Sequence, residues 1–176
     1  AGQDLRQRDE AGFGRAAELL TRAATSAPFE GRPMYAALRE IPIPDDVVAR
    51  LFHAASLPRE HRGDGHIAAL MIEGVGGLEA HVLFALDMGM PAQKFGRIHH
   101  LPAAQLDAVI DGMRDRGLIG DDGWLSEQGR AVKQRVEALT DDLAAKPYES
   151  LERGELDELM ARLEPLAALL LAAQDW

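Results

Sequence analysis

The residues from Arg59 to His66 hold the densest set of side chains able to do chemistry in this sequence. Six of the eight ionise, and the other two, Gly63 and Gly65, each destabilise a helix by about 0.5–1 kcal/mol relative to alanine. Apolar segments with helical spacing flank the run, at Val47–Leu57 and Ile67–Ile72. A helix that contains both glycines beside so many charges is typical of close approach by a neighbouring backbone, or of a polar cluster beside a cavity.

We interpret this run as one side of a small-molecule pocket. Such pockets are mainly apolar, with a few polar groups that orient the ligand. The apolar wall would include Phe84 from the apolar segment that follows. The polar anchors would be His53, His61, Arg62, Asp64 and His66. A plain helix–helix contact is the alternative: the glycines would admit a neighbouring helix, and Arg59 or Arg62 would pair with a nearby carboxylate.

The spacing of the histidines disfavours a metal site or an active site in this run. His61 and His66 stand five residues apart, so on a helix their side chains point about 140° apart. The His-Glu-x-x-His pattern of zinc proteases is absent, and the chain has no cysteine to act as a metal ligand or nucleophile. The sequence therefore predicts no catalytic residue, no metal, no cofactor and no enzymatic activity.

The composition is that of an acidic, globular and mainly helical protein. The chain has 176 residues, of which 47% are hydrophobic, 27% charged and only 5% aromatic. A net charge of −10 opposes a generic attraction to nucleic acid or anionic lipid, so DNA binding would need a local basic patch. No segment resembles a signal peptide and no apolar stretch reaches membrane-spanning length, so we expect a cytoplasmic protein without a membrane partner.

Helical periodicity organises the first half of the chain. The helix that carries the charged run should bury Val48, Leu51, Phe52 and Ala55, and Pro58 either kinks this helix or begins a new one. The predicted helices of this half are 8–26, 33–39, a segment from an Asp45 or Asp46 cap to residue 71, and 78–88.

The second half has the element order of a winged helix. A short helix, a turn and a longer helix precede Gly117. Leu118-Ile119 and Trp124-Leu125 flank an Asp-Gly turn and predict a two-stranded β-hairpin, after which Ser126 is placed to cap the next helix. The predicted helices are 91–99, 103–116, 127–145 and 155–173. The predicted fold is thus mainly α: a winged helix-turn-helix with a short hairpin and long terminal helices.

The segment Arg114-Asp115-Arg116-Gly117-Leu118-Ile119, followed by Leu125-Ser126-Glu127-Gln128-Gly129-Arg130, resembles the wing region of MarR-type regulators. The resemblance implies that the second helix of the pair enters the major groove and that the wing contacts the neighbouring minor groove or backbone. It also implies a dimer formed through terminal helices.

A second resemblance covers most of the chain. Gly31-Arg32-Pro33, Leu51-Phe52-His53-Ala54-Ala55, Arg59–His66 and the following Ala68-Ala69-Leu70 are similar to a family of actinobacterial helix-turn-helix proteins. This resemblance implies a helix-turn-helix fold and leaves the activity open.

The predicted reading helix has few groups suited to DNA. Its outward face should carry Ala104, Gln105, Ala108, Asp111, Gly112 and Asp115, opposite an apolar stripe of Leu106, Val109, Ile110 and Met113. Carboxylates repel phosphates, and only Gln105 offers good base-edge chemistry. The candidate DNA contacts are Gln105 and the nearby Lys94, Arg97, His99, His100, Arg114 and Arg130.

The last helix carries more leucines than one face can hold, because Leu169-Leu170-Leu171 spans most of its circumference. We therefore predict a homodimer that uses this helix and presents paired reading helices. The predicted division is an N-terminal helical segment, 1–44, a winged-helix core with the charged run, 45–146, and a C-terminal dimerisation helix, 147–176.

The sequence favours one function and leaves a second open. The first is a dimeric transcriptional regulator that binds double-stranded DNA and responds to a small-molecule effector. The second is a winged-helix scaffold that binds a small molecule or a protein partner without touching DNA.

Overall fold

The computed structural model describes residues 10–172, and within them seven α-helices carry most of the chain. They are α1, Glu10–Ser26; α2, Pro33–Arg39; α3, Val47–Ile72; α4, Gly77–Asp87; α5, Ala103–Asp115; α6, Glu127–Ala145; and α7, Arg153–Ala172. Short 3₁₀ helices lie at Ala92–Lys94 and Lys146–Ser150. The mainly α part of the prediction is confirmed, while the predicted helix ends at residues 8 and 173 fall outside the described residues.

The predicted winged helix with a two-stranded β-hairpin is wrong. Ile119 and Leu125 form a single antiparallel bridge, and no strand or sheet occurs within residues 10–172. The reason is the shortness of the segment, because only Arg116 separates the end of α5 from Gly117, and Ser126 already caps α6. Only two residues on each side are left to pair. The segment Gly117–Ser126 is therefore a tight loop, which we call the return loop.

Two further expectations about the helices are wrong. The short helix predicted at 91–99 is only the 3₁₀ helix Ala92–Lys94 followed by turns, since Gly96 interrupts it. Phe52 and Ala55 were expected to lie inside but are exposed, Phe52 by 76%, because the buried stripe of α3 runs through Leu51, Ala54 and Leu57 instead. Pro58 lies inside one continuous helix and does not begin a new one, so the second of the two alternatives is wrong.

The predicted helix starts are confirmed where a side chain caps them. The Asp46 carboxylate accepts a hydrogen bond from the Ala49 backbone N–H at 2.9 Å and so caps α3. The Ser126 hydroxyl oxygen accepts a hydrogen bond from the Gly129 backbone N–H at 3.0 Å and so caps α6. Pro33 occupies the first position of α2, where its missing N–H is harmless.

The chain divides into two compact units, with the division inside α3. The described residues of unit 1 are 10–64 and 142–172, and those of unit 2 are 65–141. The domain boundaries predicted at residues 44 and 146 stay predictions.

Unit 1 is held by α1 and α7. Alanine and leucine side chains of α1 pack against Leu51, Ala54 and Leu159, and all of them are buried. Ion pairs follow the same two helices: Arg15 Nε lies 3.4 Å from a Glu158 carboxylate oxygen, and Arg22 pairs with Glu155.

Unit 2 has its own apolar core, which positions α5. Val82, Leu83 and Leu86 come from α4, Val132 and Val136 from α6, and Leu106 and Met113 from α5. The core also buries Ile98, Leu118, Ile119 and Leu125, which fixes the segments on either side of α5.

No single helix among residues 10–172 is long and apolar enough to cross a membrane. Only α3 and α4 taken together meet that criterion, with a bend of 97° at the break between them.

Candidate nucleic-acid interface

One face of α5 is open, as the apolar periodicity predicts. Leu106 and Met113 are buried, and Val109 and Ile110 pack half-buried on the same core. The opposite face exposes Ala104, Gln105, Ala108, Asp111 and Asp115, with Gly112 half-buried at its edge. Gln105 is therefore available to an external partner.

The segment before α5 is basic and exposed. Lys94, Arg97, His99 and His100 all point to solvent, while the buried Ile98 between them anchors the backbone. The His99 ring nitrogen Nδ1 lies 2.7 Å from the Gly96 carbonyl oxygen, which fixes the ring. The His99 and His100 rings are perpendicular to each other, with their centroids 5.9 Å apart.

The basic side chains around α5 differ in whether they pair with a carboxylate. Arg114 donates to Asp111 at 2.5 Å, and Arg116 pairs with Glu79 at 2.8 Å. Lys94 and Arg97 contact no carboxylate among the described residues. They are thus the basic groups best placed to meet a phosphate.

Backbone hydrogen bonds close the return loop. Gly120 N donates to Trp124 O at 2.8 Å, and Ser126 N donates to Leu118 O at 3.0 Å. The Ser126 hydroxyl donates to Gly117 O at 2.5 Å. Arg130, a predicted DNA contact, donates to Leu125 O at 2.6 Å and so supports the loop from α6.

His61 and Asp64, two of the predicted ligand anchors, lie inside unit 1. The Asp64 carboxylate accepts the Tyr35 backbone N–H at 2.9 Å, and the His61 ring meets the Tyr35 ring edge-on at 5.0 Å. The Arg32 guanidinium donates to the His61 carbonyl oxygen, and to Leu143 O at 3.3 Å. We call Arg32, Tyr35, His61 and Asp64 the buried polar cluster, since all four side chains are buried.

His61 carries no hydrogen bond on either ring nitrogen among residues 10–172 and is fully buried. Burial lowers the pKa of His61 to about 4, and repulsion from the Arg32 guanidinium is the second cause of this decrease. The Pro28 carbonyl and the Asp64 carboxylate attract the charged ring and oppose this change more weakly. His61 is therefore neutral at pH 7.

The other predicted ligand anchors are distributed over both units. In unit 1, His53 is half-buried and Arg62 is exposed. In unit 2, the His66 ring nitrogen Nδ1 lies 3.0 Å from the buried Thr140 hydroxyl, and the Phe84 ring contacts Phe95 at 5.5 Å. The structure thus joins His61 with Asp64, and leaves the predicted ligand role of all six residues a prediction.

The two glycines of the charged run were expected to admit a close neighbour. At Gly63 an added Cβ would meet only the Glu60 carboxylate, at 4.0 Å, so no backbone approaches there. The predicted pairing of Arg59 with a nearby carboxylate is present, since it contacts Glu60.

Sequence reasoning missed Arg32, Tyr35 and Trp124. Arg32 and Tyr35 precede His61 by more than 25 residues, and no local pattern joins them. The signal for Trp124 was its place at the end of an Asp-Gly turn, where a large aromatic side chain is 38% exposed. Within residues 10–172, no three His, Asp or Glu side chains come close enough to share a metal ion.

Comparison with known proteins gives a family match over nearly the whole chain. The model of a helix-turn-helix family matches residues 2–176. Neither a curated protein nor a solved structure matches the chain. Because the family match extends over nearly the whole sequence, the chain belongs to this helix-turn-helix family.

Proposed function

We propose that the protein is a transcriptional regulator that binds double-stranded DNA through α5 and the basic segment before it. The observation that carries the proposal is the open face of α5, held on the core of unit 2 in a chain that belongs to a helix-turn-helix family. In such folds the second helix of the pair reads base edges, and flanking residues hold the phosphates.

The charges assign different roles to the candidate contacts. Lys94 and Arg97 would bind phosphates, with His99 and His100 beside them. Gln105 would read a base edge, for which an amide paired with adenine is the common geometry. Arg114 and Arg130 flank this surface, but each already donates to another group of unit 2.

The carboxylates on α5 set the expected strength of binding. Asp107, Asp111 and Asp115 are exposed on the helix and repel phosphates. Non-specific binding, which depends on counterion release, should therefore be weak, and it should weaken further as salt is added.

The test is fluorescence anisotropy with random-sequence duplex DNA at several salt concentrations. Arg97→Ala should weaken binding and reduce the slope of log affinity against log salt by about 1 for each copy of α5 that contacts the duplex, as expected for one lost phosphate contact per copy. The matched control is Arg59→Ala, which removes one exposed arginine from unit 1 and should leave the slope unchanged. An absence of binding at low salt, or an affinity that salt does not alter, contradicts the proposal.

We propose further that the regulator is a homodimer that uses α7. Leu169, Leu170 and Leu171 are 45–68% exposed, and Met160 is 66% exposed on the same helix. A two-fold dimer would present two copies of α5 to DNA. Light scattering should give twice the mass of one chain at micromolar concentration, and Leu170→Glu should halve it; a monomeric wild-type protein contradicts the dimer.

The proposal includes a small-molecule effector. The predicted anchors His53, His61, Arg62, Asp64, His66 and Phe84 are tested by comparing thermal shifts of wild type and His66→Ala with candidate ligands. Equal shifts remove His66 from the effector site. The hydrogen bond between His66 and Thr140 supports a structural role for this histidine instead.

A second function is favoured by the carboxylates of α5. A surface with three exposed aspartates suits a protein or small-molecule partner better than phosphates. In that case the protein uses its helix-turn-helix as a scaffold, and the anisotropy experiment shows no DNA binding at any salt concentration.

A further inference from the structure

A groove of about 250 Å³ lies in unit 2 where α5 meets the return loop. Polar and apolar groups line it in similar measure, and the apolar ones include Leu86, Ile110 and Trp124. Two opposite charges line the same groove, the Arg114 guanidinium and the Asp122 carboxylate. No residue predicted as a ligand anchor lines this groove.

Two hydrogen bonds hold the backbone of Trp124, one of the residues that line the groove. Trp124 N donates to Asp122 Oδ1 at 3.0 Å, and Trp124 O accepts from Gly120 N at 2.8 Å. Gly123, with φ of 80°, makes the turn between Asp122 and Trp124. Trp124 is 38% exposed, so its indole can contact a ligand, and the ordered backbone that carries it lowers the conformational entropy lost on binding.

The two charges have capacity left for a ligand. Arg114 uses Nη1 for Asp111, and a guanidinium carries five N–H donors. Asp122 uses Oδ1 for the Trp124 N–H, and a carboxylate has a second oxygen that accepts. A neutral apolar ligand would desolvate both charges without pairing them, and a ligand with a single charge would leave one unpaired.

We infer that this groove binds a small α-amino acid with an apolar side chain. The α-carboxylate pairs with Arg114, the α-ammonium group pairs with Asp122, and the side chain lies against Trp124, Ile110 and Leu86. Charge-assisted hydrogen bonds of this kind are the stronger ones in proteins. A volume of about 250 Å³ admits a molecule of the size of leucine and is smaller than the pockets of about 300–1,000 Å³ that take drug-sized ligands.

This site lies beyond the proposed DNA binding and does not depend on it. Because Ile110 and Arg114 belong to α5, the ligand would contact the same helix that we propose reads DNA. The binding experiment contains no DNA, so its failure leaves the DNA proposal standing, and failure of DNA binding leaves this site standing.

The test uses the fluorescence of Trp124 in the full chain. The sequence has two tryptophans, so Trp176→Phe leaves Trp124 as the single reporter. L-leucine should produce a saturable change in its emission. Leucinamide, which lacks the carboxylate, and N-acetyl-leucine, which lacks the ammonium group, should each bind about tenfold more weakly or worse, because each loses one charge-assisted hydrogen bond.

Substitutions assign the two charges. Arg114→Gln and Asp122→Asn should each weaken leucine binding about tenfold or more, and Asp122→Asn keeps an oxygen for the Trp124 N–H. The matched controls, Arg116→Gln and Asp121→Asn, change exposed neighbours that do not line the groove and should leave binding unchanged. Circular dichroism confirms that each variant is folded. The inference is overturned if leucine gives no saturable change, if leucinamide binds as tightly as leucine, or if binding survives in both Arg114→Gln and Asp122→Asn.

Discussion

Gly129 lies so close to Leu118 that a Cβ built on the glycine would be 2.1 Å from the Leu118 carbonyl oxygen. The first turn of α6 is thereby packed against the backbone of the return loop, and the Leu118 oxygen is also the acceptor for Ser126 N. Gly129→Ala should therefore destabilise the protein by about 1–3 kcal/mol in urea unfolding, since backbone must move to admit the methyl group.

The matched control for this substitution is Gly112→Ala. Gly112 is also helical, and a Cβ there meets nothing within 4 Å. Alanine should stabilise α5 by about 0.5–1 kcal/mol through its higher helix propensity. A Gly129→Ala variant as stable as Gly112→Ala would show that the close contact with Leu118 is not rigid.

The burial of His61 predicts a pH dependence of stability. Its pKa falls from 6.5 to about 4 on folding, so between these values the unfolded chain binds more protons than the folded chain. Stability should be independent of this histidine above pH 6.5, and should fall as the pH drops towards 4, by at most about 1.4 kcal/mol per pH unit.

His61→Leu isolates this effect from the other titrating groups. The variant should lose the slope that His61 contributes between pH 6.5 and 4, while carboxylates whose pKa is lowered, such as Glu155 and Glu158, titrate alike in both proteins. Urea unfolding at pH 7, 6 and 5 measures the difference. Parallel curves for wild type and variant would contradict a buried, neutral His61.

Thr140 fixes the tautomer of His66. The Thr140 hydroxyl has one proton, which it donates to Val136 O at 2.7 Å. The His66 Nδ1 at 3.0 Å must then be the donor, so the neutral ring carries its proton on Nδ1. Long-range ¹H–¹⁵N NMR should show the Nδ1–H tautomer in wild type and in Thr140→Ser, and should lose this preference in Thr140→Val; a ring protonated on Nε2 in wild type would refute the assignment.

The Tyr35 hydroxyl satisfies carbonyl groups near the end of α1. It donates to Ala24 O and lies 3.2 Å from Ala27 O, in a side chain that is fully buried. Tyr35→Phe should lower the free energy of unfolding by about 1–3 kcal/mol, because a buried carbonyl oxygen loses its hydrogen-bond donor. Tyr148→Phe is the control: Tyr148 is half-buried and packs on the core of unit 1, so the loss there should be small. Equal losses at both positions would contradict the role given to the Tyr35 hydroxyl.

Local sequence patterns determined what depends on neighbours within a few residues. The apolar spacing of Leu106, Ile110 and Met113 gave the buried and open faces of α5, because a helix repeats every 3.6 residues wherever it packs. The caps at Asp46 and Ser126 followed from side chains that bond to N–H groups three residues later. The helix-turn-helix family was also within reach of the sequence, and the family match confirms it.

Tertiary structure decided which surfaces meet. Phe52 and Leu51 are both apolar neighbours on α3, and only the position of the packed helices decides that Leu51 is buried and Phe52 exposed. The return loop forms one bridge instead of a hairpin, because too few residues lie between the end of α5 and the start of α6. His61 joined Arg32 and Tyr35 across more than 25 residues, and Trp124 met Arg114 across a groove. Contacts of this kind depend on where whole elements pack, and periodicity along the chain contains no information about that.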